Sequence, residues 1–429
     1  MSRSVEEVDR APAWRGGAAF VLAVLLLSLL GATVAEGQIR IYEGEAADRP
    51  LELDLTGYVR SLTGIHDTGY DLPVGERRSA FNAEVVRLKW GAVWGDRIRL
   101  DVHQRLQVQV STDEEGFGSS VAGFGVSAVP GRAVDLEWTW VDDERLRAWH
   151  DLDRLAVSIR TSAADVTLGR QAITWGDAQI FPVADLWARF SPFELDTEEK
   201  PGVDAVRVLT YPAPGLELDA VVADRGRRDD ISAGLRASLS LPGADVYLAG
   251  GRLWHEAMAL AGVTWLLETT RLRAEGLVAR DLEHGRWLDP RATVGIDRIG
   301  ARWSVTGELH FNGLGAGDPS GYLERLGSER FARGESYHLG RVHAGGSVAW
   351  SADRAERLRL LGSALLNLDD GSVAVSPVGT WDVGPSVTLS LGGLVTFGDV
   401  PVFTGPVPEL ASEYGTYGDL GYTRVSVYF

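Results

Sequence analysis

The feature that most constrains the fold is a two-residue period of apolar side chains that runs through most of the chain beyond residue 50. In the segment 97–110, RIRLDVHQRLQVQV, one face carries Ile98, Leu100, Val102, Leu106, Val108 and Val110, and the other carries Arg97, Arg99, Asp101, His103, Arg105, Gln107 and Gln109. The segments 302–312 and 357–367 repeat this pattern. Because successive side chains of a β-strand point to opposite faces, each segment predicts a strand with one apolar and one charged face.

Eighteen such strands are predicted. They lie near 51–62, 82–93, 96–110, 152–161, 164–172, 203–211, 215–223, 230–240, 244–251, 256–266, 269–280, 288–297, 300–313, 338–350, 356–367, 372–382, 385–398 and 418–429. Tight turns such as 94–97, 161–164 and 242–245 occupy every second connection. The long connections are 63–81, 111–151, 173–202, 314–337 and 399–417.

A soluble β-sandwich also shows alternating strands, so three further features decide the fold class. The strands are long, Arg recurs along single polar faces, and short turns alternate with long loops, as in outer-membrane barrels. Trp90, Trp94, Trp303, Trp350 and Trp381 fall near strand ends, where interfacial aromatic belts lie. The sequence therefore predicts an all-β fold: a transmembrane antiparallel barrel of about 18 strands (16–18) with one long inward-folded loop.

The two ends of the chain support export to the outer membrane of a Gram-negative bacterium. Residues 18–30, AAFVLAVLLLSLL, form one short apolar run followed by small residues, which predicts a signal peptide over 1–35. The alternative is an uncleaved anchor, for which the run is short. We expect a short periplasmic segment at 36–50 and the barrel at 51–429. The terminal Phe429 closes an alternating strand and is the expected signal for the barrel-assembly machinery.

Composition excludes several functions. The chain has 429 residues and no Cys, so thiolate metal sites and thiol catalysis are ruled out. Its formal net charge is −18, which argues against nucleic acid as a partner. The eight His are scattered without a metal-ligand motif, and no nucleophile constellation is visible. We therefore expect no enzyme activity, no catalytic residue, no metal and no cofactor.

If the apolar faces meet lipid, the charged faces line a lumen. The basic residues expected there are Arg60, Arg87, Lys89, Arg97, Arg99, Arg105, Arg154, Arg160, Arg207, Arg236, Arg271, Arg273, Arg291, Arg302, Arg341, Arg357, Arg359 and Arg424. The acidic ones are Glu52, Asp54, Asp101, Asp165, Glu217, Asp219, Asp245, Glu275, Asp297 and Glu308. Eighteen cations against ten carboxylates leave a surplus of about eight, and Arg-lined pores favour anions. The alternative is that these charges pair across strands and only stiffen the wall.

The connection 173–202 is the candidate constriction. FPVADLWARF can form a short helix after Pro182, and the following residues are loop-like. A loop with its own aromatics buries them by folding against the inner wall, which would bring Asp185, Arg189, Glu194, Asp196, Glu198, Glu199 and Lys200 to the passage. The alternative is a loop that caps the barrel from outside.

Gly169, Arg170 and Gln171, followed by Trp175, Gly176 and Asp177, resemble a motif of porin-like barrels of the alginate-export type. In that family a GRQ strand end leads into a structured loop. The resemblance covers about ten residues, and it implies a barrel of about 18 strands with an Arg-rich lumen that passes anionic polysaccharide.

Two functions remain open at this stage. The first is an outer-membrane channel for passive passage of small hydrophilic solutes, with a preference for anions, or of an acidic polymer. The second is a non-conducting sheath that houses a partner protein. A barrel enzyme is disfavoured because no catalytic constellation is present.

Overall fold

The computed structural model describes residues 39–47, 49–72, 75–113, 131–191, 194–226, 230–352, 355–405 and 408–429. The predicted signal peptide lies outside these residues. The strands are β1 (Ile39–Ala46), β2 (Arg49–Asp67), β3 (Arg78–Trp94), β4 (Ile98–Ser111), β5 (Glu137–Asp143), β6 (Leu146–Arg160), β7 (Asp165–Gln171), β8 (Val203–Ala213), β9 (Leu216–Asp224), β10 (Ile231–Leu241), β11 (Ala244–Leu253), β12 (Glu256–Leu267), β13 (Thr270–Asp281), β14 (Arg291–Ile299), β15 (Trp303–Asn312), β16 (Val342–Ser351), β17 (Leu358–Asn367), β18 (Val373–Asp382), β19 (Val387–Phe397) and β20 (Asp419–Tyr428).

Eighteen of these strands close into one antiparallel barrel. Each pairs with its neighbour along the chain, except that β4 pairs with β6, and β20 returns to pair with β2 from Tyr58–Tyr428 to Asp67–Asp419. The predicted barrel and its strand count are confirmed, and every predicted strand overlaps an observed one. Closure satisfies the backbone hydrogen bonds of all barrel strands, which a lipid environment demands.

The other two strands extend the barrel wall rather than enlarge its circumference. β1 pairs with the first residues of β2, on the edge whose remainder pairs with β20. β5 pairs with the start of β6, on the edge whose remainder pairs with β7. The sequence prediction missed both, because β1 lies in the expected periplasmic segment and β5 in the expected long loop 111–151.

The register separates the two faces of the wall. Residues directly opposite each other in neighbouring strands point to the same side of the wall. Leu248 and Leu391 lie on the outer side, where they are 68% and 67% exposed. Trp265, Trp303, Trp350 and Trp381 are exposed near the strand ends that carry short turns. This apolar outer surface with aromatics at one edge agrees with the predicted outer-membrane location.

The two rims differ as the sequence predicts. One rim holds short turns, and the other holds the described parts of the long connections 112–145, 172–202, 313–341 and 398–418. The predicted long connection 63–81 is shorter than expected, because β2 continues to Asp67 and β3 begins at Arg78. Two short helices, Tyr322–Leu326 and Glu329–Ala332, lie in the connection 313–341. Among the described helices, none is long and apolar enough to span a membrane.

The last residue lies at the seam that closes the barrel. The Phe429 carbonyl accepts a hydrogen bond from the Gly57 amide at 2.8 Å, and its own amide donates to the Gly57 carbonyl at 3.1 Å. A Cβ on Gly57 would lie 2.2 Å from the Arg87 carbonyl oxygen, so only Gly fits there. The role of Phe429 as an assembly signal stays a prediction.

Deletion of residues 39–46 should leave the barrel intact. β1 pairs only with β2, outside the closing seam, and its Arg40 forms exposed ion pairs, which contribute about 0–1 kcal/mol. We expect the deleted protein to keep its heat-modifiable mobility on a denaturing gel. Deletion of 419–428, which removes β20, serves as the control and should abolish it. Loss of the folded band in the first variant would show that β1 is needed for closure.

Candidate functional site

The connection between β7 and β8, residues 172–202, folds into the barrel; we call it the strap. Its aromatic side chains Trp175, Phe181 and Trp187 are 1–2% exposed. Trp175 and Trp187 meet residues that the register places on the inner wall, such as Val221, Tyr247 and Leu277, in one apolar cluster. Phe181 instead stacks on the ring of His310, with 5.2 Å between centroids. The strap thus fills the lumen beside β8–β13 instead of capping the barrel from outside.

Two wall glycines make room for the aromatic side chains of the strap. A Cβ on Gly234 would lie 2.7 Å from Cη2 of Trp175, and a Cβ on Gly345 would lie 2.8 Å from Phe181. The indole of Trp175 also donates to Asp219 at 2.9 Å and packs edge-on against Trp187 with ring centroids 5.1 Å apart. The wall is therefore shaped to receive this loop.

Two carboxylates of the wall hold the backbone of the first half of the strap. Glu275 on β13 accepts hydrogen bonds from the amides of Asp177, Ala178, Val183 and Ala184. Glu308 on β15 accepts from the amides of Gln179, Ile180 and Phe181 at 2.7–3.0 Å. An irregular backbone inside a barrel needs such partners, because an unsatisfied buried amide costs about 1–3 kcal/mol.

A guanidinium beside Glu308 offsets the charge of that carboxylate. Arg273 donates to Glu308 and to Asp297, both at 2.9 Å, and to the carbonyl of Asp177 at 3.0 Å. The side chains of Arg273 and Glu308 are 3% and 0% exposed. Removal of one partner from a buried pair of this kind destabilises strongly, because the remaining charge stays buried.

The second half of the strap is held by the opposite arrangement, with cations on the wall and carboxylates on the loop. Arg60 on β2 pairs with Asp196 and Glu198, and Lys89 on β3 pairs with Glu199. Burial alone would raise the pKa of Asp196, but the Arg60 guanidinium holds it below its usual range. The strap therefore crosses the lumen from β13 and β15 to β2 and β3.

Ion pairs and backbone contacts also stiffen the strap internally. The Lys200 ammonium pairs with Asp185 and donates to the carbonyl of Ile173 at 2.8 Å. Burial lowers the pKa of Lys200, and the carboxylate of Asp185 acts against that shift. These contacts tie the two ends of the strap to its middle.

The GRQ motif has a structural role at the end of β7, where the strap begins. Gly169 has φ +109°, and a Cβ there would lie 2.2 Å from the Leu155 carbonyl oxygen. Arg170, 1% exposed, donates to Asp204 at 2.8 Å and to the carbonyl of Leu152 at 2.9 Å. Gln171 donates to the carbonyl of Ala205 at 3.2 Å. The motif fixes the point where β7 leaves the sheet.

The strap leaves two cavities in the lumen. The larger chamber, of about 730 Å³, lies between the strap and β14–β20, and its lining extends from Asn312 near the long-loop rim to Arg359 near the short-turn rim. The smaller chamber, of about 430 Å³, lies against β2–β6. Glu194, Leu195 and Arg424 line both.

The predicted lumen cations fall into two groups. Those on the inner face of barrel strands are Arg60, Arg87, Lys89, Arg99, Arg105, Arg154, Arg160, Arg207, Arg236, Arg271, Arg273, Arg291, Arg359 and Arg424. Arg97, Arg302, Arg341 and Arg357 lie outside the strands, at the rims. Each of these four arginines precedes a strand by one position. The two-residue period of the sequence therefore includes them, although the backbone there is already turning.

Much of the predicted positive surplus is neutralised inside the barrel. Arg87 pairs with Asp153 at 2.6 Å, Arg207 with Asp219 at 2.7 Å, and Arg359 with Asp382 at 2.9 Å. The strap adds six carboxylates and two cations, a net charge of about −4, which offsets about half of the surplus. Pairing across the lumen was not visible in the strand pattern.

Three arginines of the larger chamber belong to none of the ion pairs among the described residues. Arg189 donates to the carbonyls of Asp185, Val183 and Glu335 at 2.6–3.0 Å. Arg291 donates to the Glu335 carbonyl at 3.0 Å, and Arg424 to the Leu195 carbonyl at 2.9 Å and to Ser390. Because carbonyls and hydroxyls do not cancel a full charge, these guanidiniums add positive charge to a chamber whose lining also holds Asp185, Glu194 and Glu335.

Sequence reasoning missed the anchoring role of Glu275 and Glu308 and the contribution of a second inward connection. Glu335, Tyr337 and His338 of the connection 313–341 line the larger chamber. The short helix expected after Pro182 is absent from the described strap, whose amides at Val183 and Ala184 bind Glu275 instead. No local signal could reveal contacts between residues about 100 positions apart.

Comparison with known proteins identifies the fold. No protein-family model and no curated protein sequence matches the chain. OccK9 (OpdG) from Pseudomonas aeruginosa is 12% identical, with a TM-score of 0.54 over 88% of this chain and 97% of that one. OccAB2 from Acinetobacter baumannii is 9% identical, with a TM-score of 0.54 over 88% and 98%.

A third solved structure, the outer membrane protein opdK from Pseudomonas aeruginosa, is 12% identical with a TM-score of 0.52 over 88% and 98%. The chain has the fold of a porin-like outer-membrane β-barrel. The predicted wider class is thus supported, whereas these neighbours do not support the narrower resemblance to the alginate-export type. At these identities the likeness concerns the fold alone.

Glu308→Gln should loosen the strap. The amide side chain offers one acceptor in place of two and no charge, so the docked state should weaken by about 1–3 kcal/mol, roughly 5- to 150-fold in the undocked population. We expect a larger and noisier single-channel conductance in a planar bilayer. Asp382→Asn, which removes the same charge from the wall without touching the strap, should leave the noise unchanged. Equal changes in conductance noise in both variants would show that the noise depends on the wall charge and not on docking of the strap.

Glu335 should make ion preference depend on pH. Its carboxyl oxygens are buried without hydrogen-bond partners, and burial, aided by the charge of Glu256, raises its pKa to about 7. Above that pH the side chain is ionised and adds negative charge to the larger chamber; below it the side chain is neutral. Anion preference, measured as reversal potential, should therefore increase from pH 8 to pH 6, and Glu335→Gln should remove most of this change. If the reversal potential of Glu335→Gln changed with pH as much as that of the wild-type protein, Glu335 would not be the group that titrates.

Proposed function

We propose that the protein is an outer-membrane channel that passes small hydrophilic solutes, with a preference for anions, through the larger chamber. The observation that carries the proposal is the set of three arginines, Arg189, Arg291 and Arg424, that line this chamber without a carboxylate partner. Arg291 and Arg424 lie on the barrel wall and Arg189 lies on the strap, and the low-dielectric surroundings strengthen the field of these groups in the passage.

The size of the chamber supports a small solute. Its volume of about 730 Å³ lies within the range of about 300–1,000 Å³ that is common for small-molecule sites. The strap also crosses the lumen, so a partner protein would have to displace a loop that is anchored on two sides. This geometry favours a channel over a sheath.

The guanidiniums would act by replacing part of the hydration of the solute. A carboxylate or phosphate group that enters the chamber loses water and gains charge-assisted hydrogen bonds from donors already held in place. Passage requires that this binding stay weak, and guanidiniums spaced along the chamber provide several weak sites instead of one strong site. An acidic polymer, which the motif resemblance implies, is the second candidate cargo. It is disfavoured because the strap crosses the lumen and narrows the passage.

Arg424→Gln should reduce anion preference. The amide keeps a polar donor at this point of the wall while one lumen charge is lost. We expect the reversal potential under a KCl gradient to shift toward that of a nonselective pore, with conductance retained. Arg78→Gln is the matched control, since Arg78 is exposed at the long-loop rim and pairs with Asp67.

The outcomes separate the functions. A shift in Arg424→Gln but not in Arg78→Gln supports the proposal. Equal reversal potentials in the wild-type and Arg424→Gln proteins would overturn the role of the arginine. No conductance from a folded, heat-modifiable wild-type barrel would overturn the channel itself and favour the sheath.

A further inference from the structure

A cluster of two histidines and one glutamate lies beside Phe181 of the strap. His338 belongs to the connection 313–341, His343 is the second residue of β16, and Glu413 belongs to the connection 398–418. The exposed fractions are 8%, 0% and 0%. One nitrogen of each histidine and one oxygen of the glutamate all lie within 4.8 Å of one another.

The distances suit one shared ion. Nδ1 of His338 lies 3.3 Å from Oε1 of Glu413, and Nε2 of His343 lies 2.9 Å from Oε2. Ligand atoms about 2.0–2.2 Å from a tetrahedral zinc ion are separated by roughly 3.3–3.5 Å, which is close to these two nitrogen–oxygen distances. The imidazole rings are 4.6 Å apart and inclined by 44°, so both nitrogens converge on the carboxylate.

The carboxylate is held in place by groups that would remain when an ion binds. Oε2 of Glu413 accepts hydrogen bonds from the amide of Gly340 at 2.9 Å and from the side chain of Asn367 at 2.8 Å. Asp370 accepts from the Glu413 amide at 2.8 Å. Oriented carboxylates with such outer partners are typical of metal sites.

Of the three residues, His338 borders the larger chamber, whereas His343 and Glu413 are fully buried. Phe181 of the strap packs against the His338 ring with 5.0 Å between centroids. Three protein ligands leave the fourth position of a tetrahedral ion for water or a solute group. Nδ1 of His343 is buried without a hydrogen-bond partner, so it can carry the ring proton when Nε2 binds an ion.

We propose that His338, His343 and Glu413 form a binding site for a divalent transition-metal ion, with Zn²⁺ as the best fit. Nitrogen and carboxylate ligands without a thiolate suit Zn²⁺, Ni²⁺ or Cu²⁺ better than Ca²⁺ or Mg²⁺, which prefer oxygen ligands alone. A bound ion joins two long connections and the wall, and it adds positive charge beside the strap. The proposal does not depend on the anion-channel function.

The test is binding of Zn²⁺ to tag-free, refolded full-length protein at neutral pH, measured by calorimetry, with Co²⁺ absorption as a spectroscopic probe of the ligand set. We expect one ion per chain and a higher unfolding temperature with Zn²⁺. His343→Gln should weaken the affinity at least roughly 100-fold, more than loss of an outer partner does. His284→Gln is the control, because Asp281, Glu283 and His284 also offer metal ligands, and this group, in which Glu283 and His284 are exposed, should account for no tight binding.

The folded state of each variant is checked by heat-modifiable mobility. If His343→Gln does not fold, Glu413→Gln and protection of wild-type histidines from diethyl pyrocarbonate by Zn²⁺ provide the second measurement. Saturable 1:1 binding that survives in His284→Gln and is lost in a cluster variant supports the site. Absence of saturable binding in the wild-type protein, or its loss in His284→Gln, would overturn it.

Discussion

The shape of the lumen depends on one interaction: Glu275 and Glu308 accept hydrogen bonds from the backbone amides of the strap. A loop without regular structure cannot satisfy its own amides, and inside a barrel it has little water to do so. The two carboxylates bind seven amides between Asp177 and Ala184. With these amides satisfied, Trp175 and Phe181 can pack into spaces left by wall glycines, and the remaining lumen takes its shape from what the strap does not fill.

The charge pattern of the lumen follows from this arrangement. Wall carboxylates bind the backbone of one half of the strap, and wall cations bind the carboxylates of the other half, so several charged wall residues serve to hold the loop. In the proposed channel, the guanidiniums whose partners are carbonyl and hydroxyl oxygens are the ones left to meet a solute. The proposed anion preference therefore rests on these few charges rather than on the total count of arginines.

The sequence was most informative where structure is local and periodic. Alternation along segments such as 97–110 predicts the strands and their inward faces, because a two-residue period follows directly from strand geometry. The aromatic content of 173–202 predicted an inward loop. The pairs Arg60–Asp196 and Glu308–Phe181 were not predictable, since nothing in either segment specifies its partner. β5 was missed because its alternation, EWTW, spans only four residues before Val141 and two carboxylates interrupt it.

The strap has a mechanical consequence for the barrel. A closed sheet of eighteen strands resists stretching along its hydrogen bonds, but its cross-section can flatten at little cost because neighbouring strands hinge. The strap is bonded to β13 and β15 on one side and to β2 and β3 on the other, so it acts as an internal tie between distant parts of the ring. Lateral pressure from the membrane is then carried partly by ion pairs in the interior. An internal tie of this kind keeps the dimensions of the aperture beside the strap, so the selectivity of the proposed channel would be built into the shape of the ring rather than into a moving part.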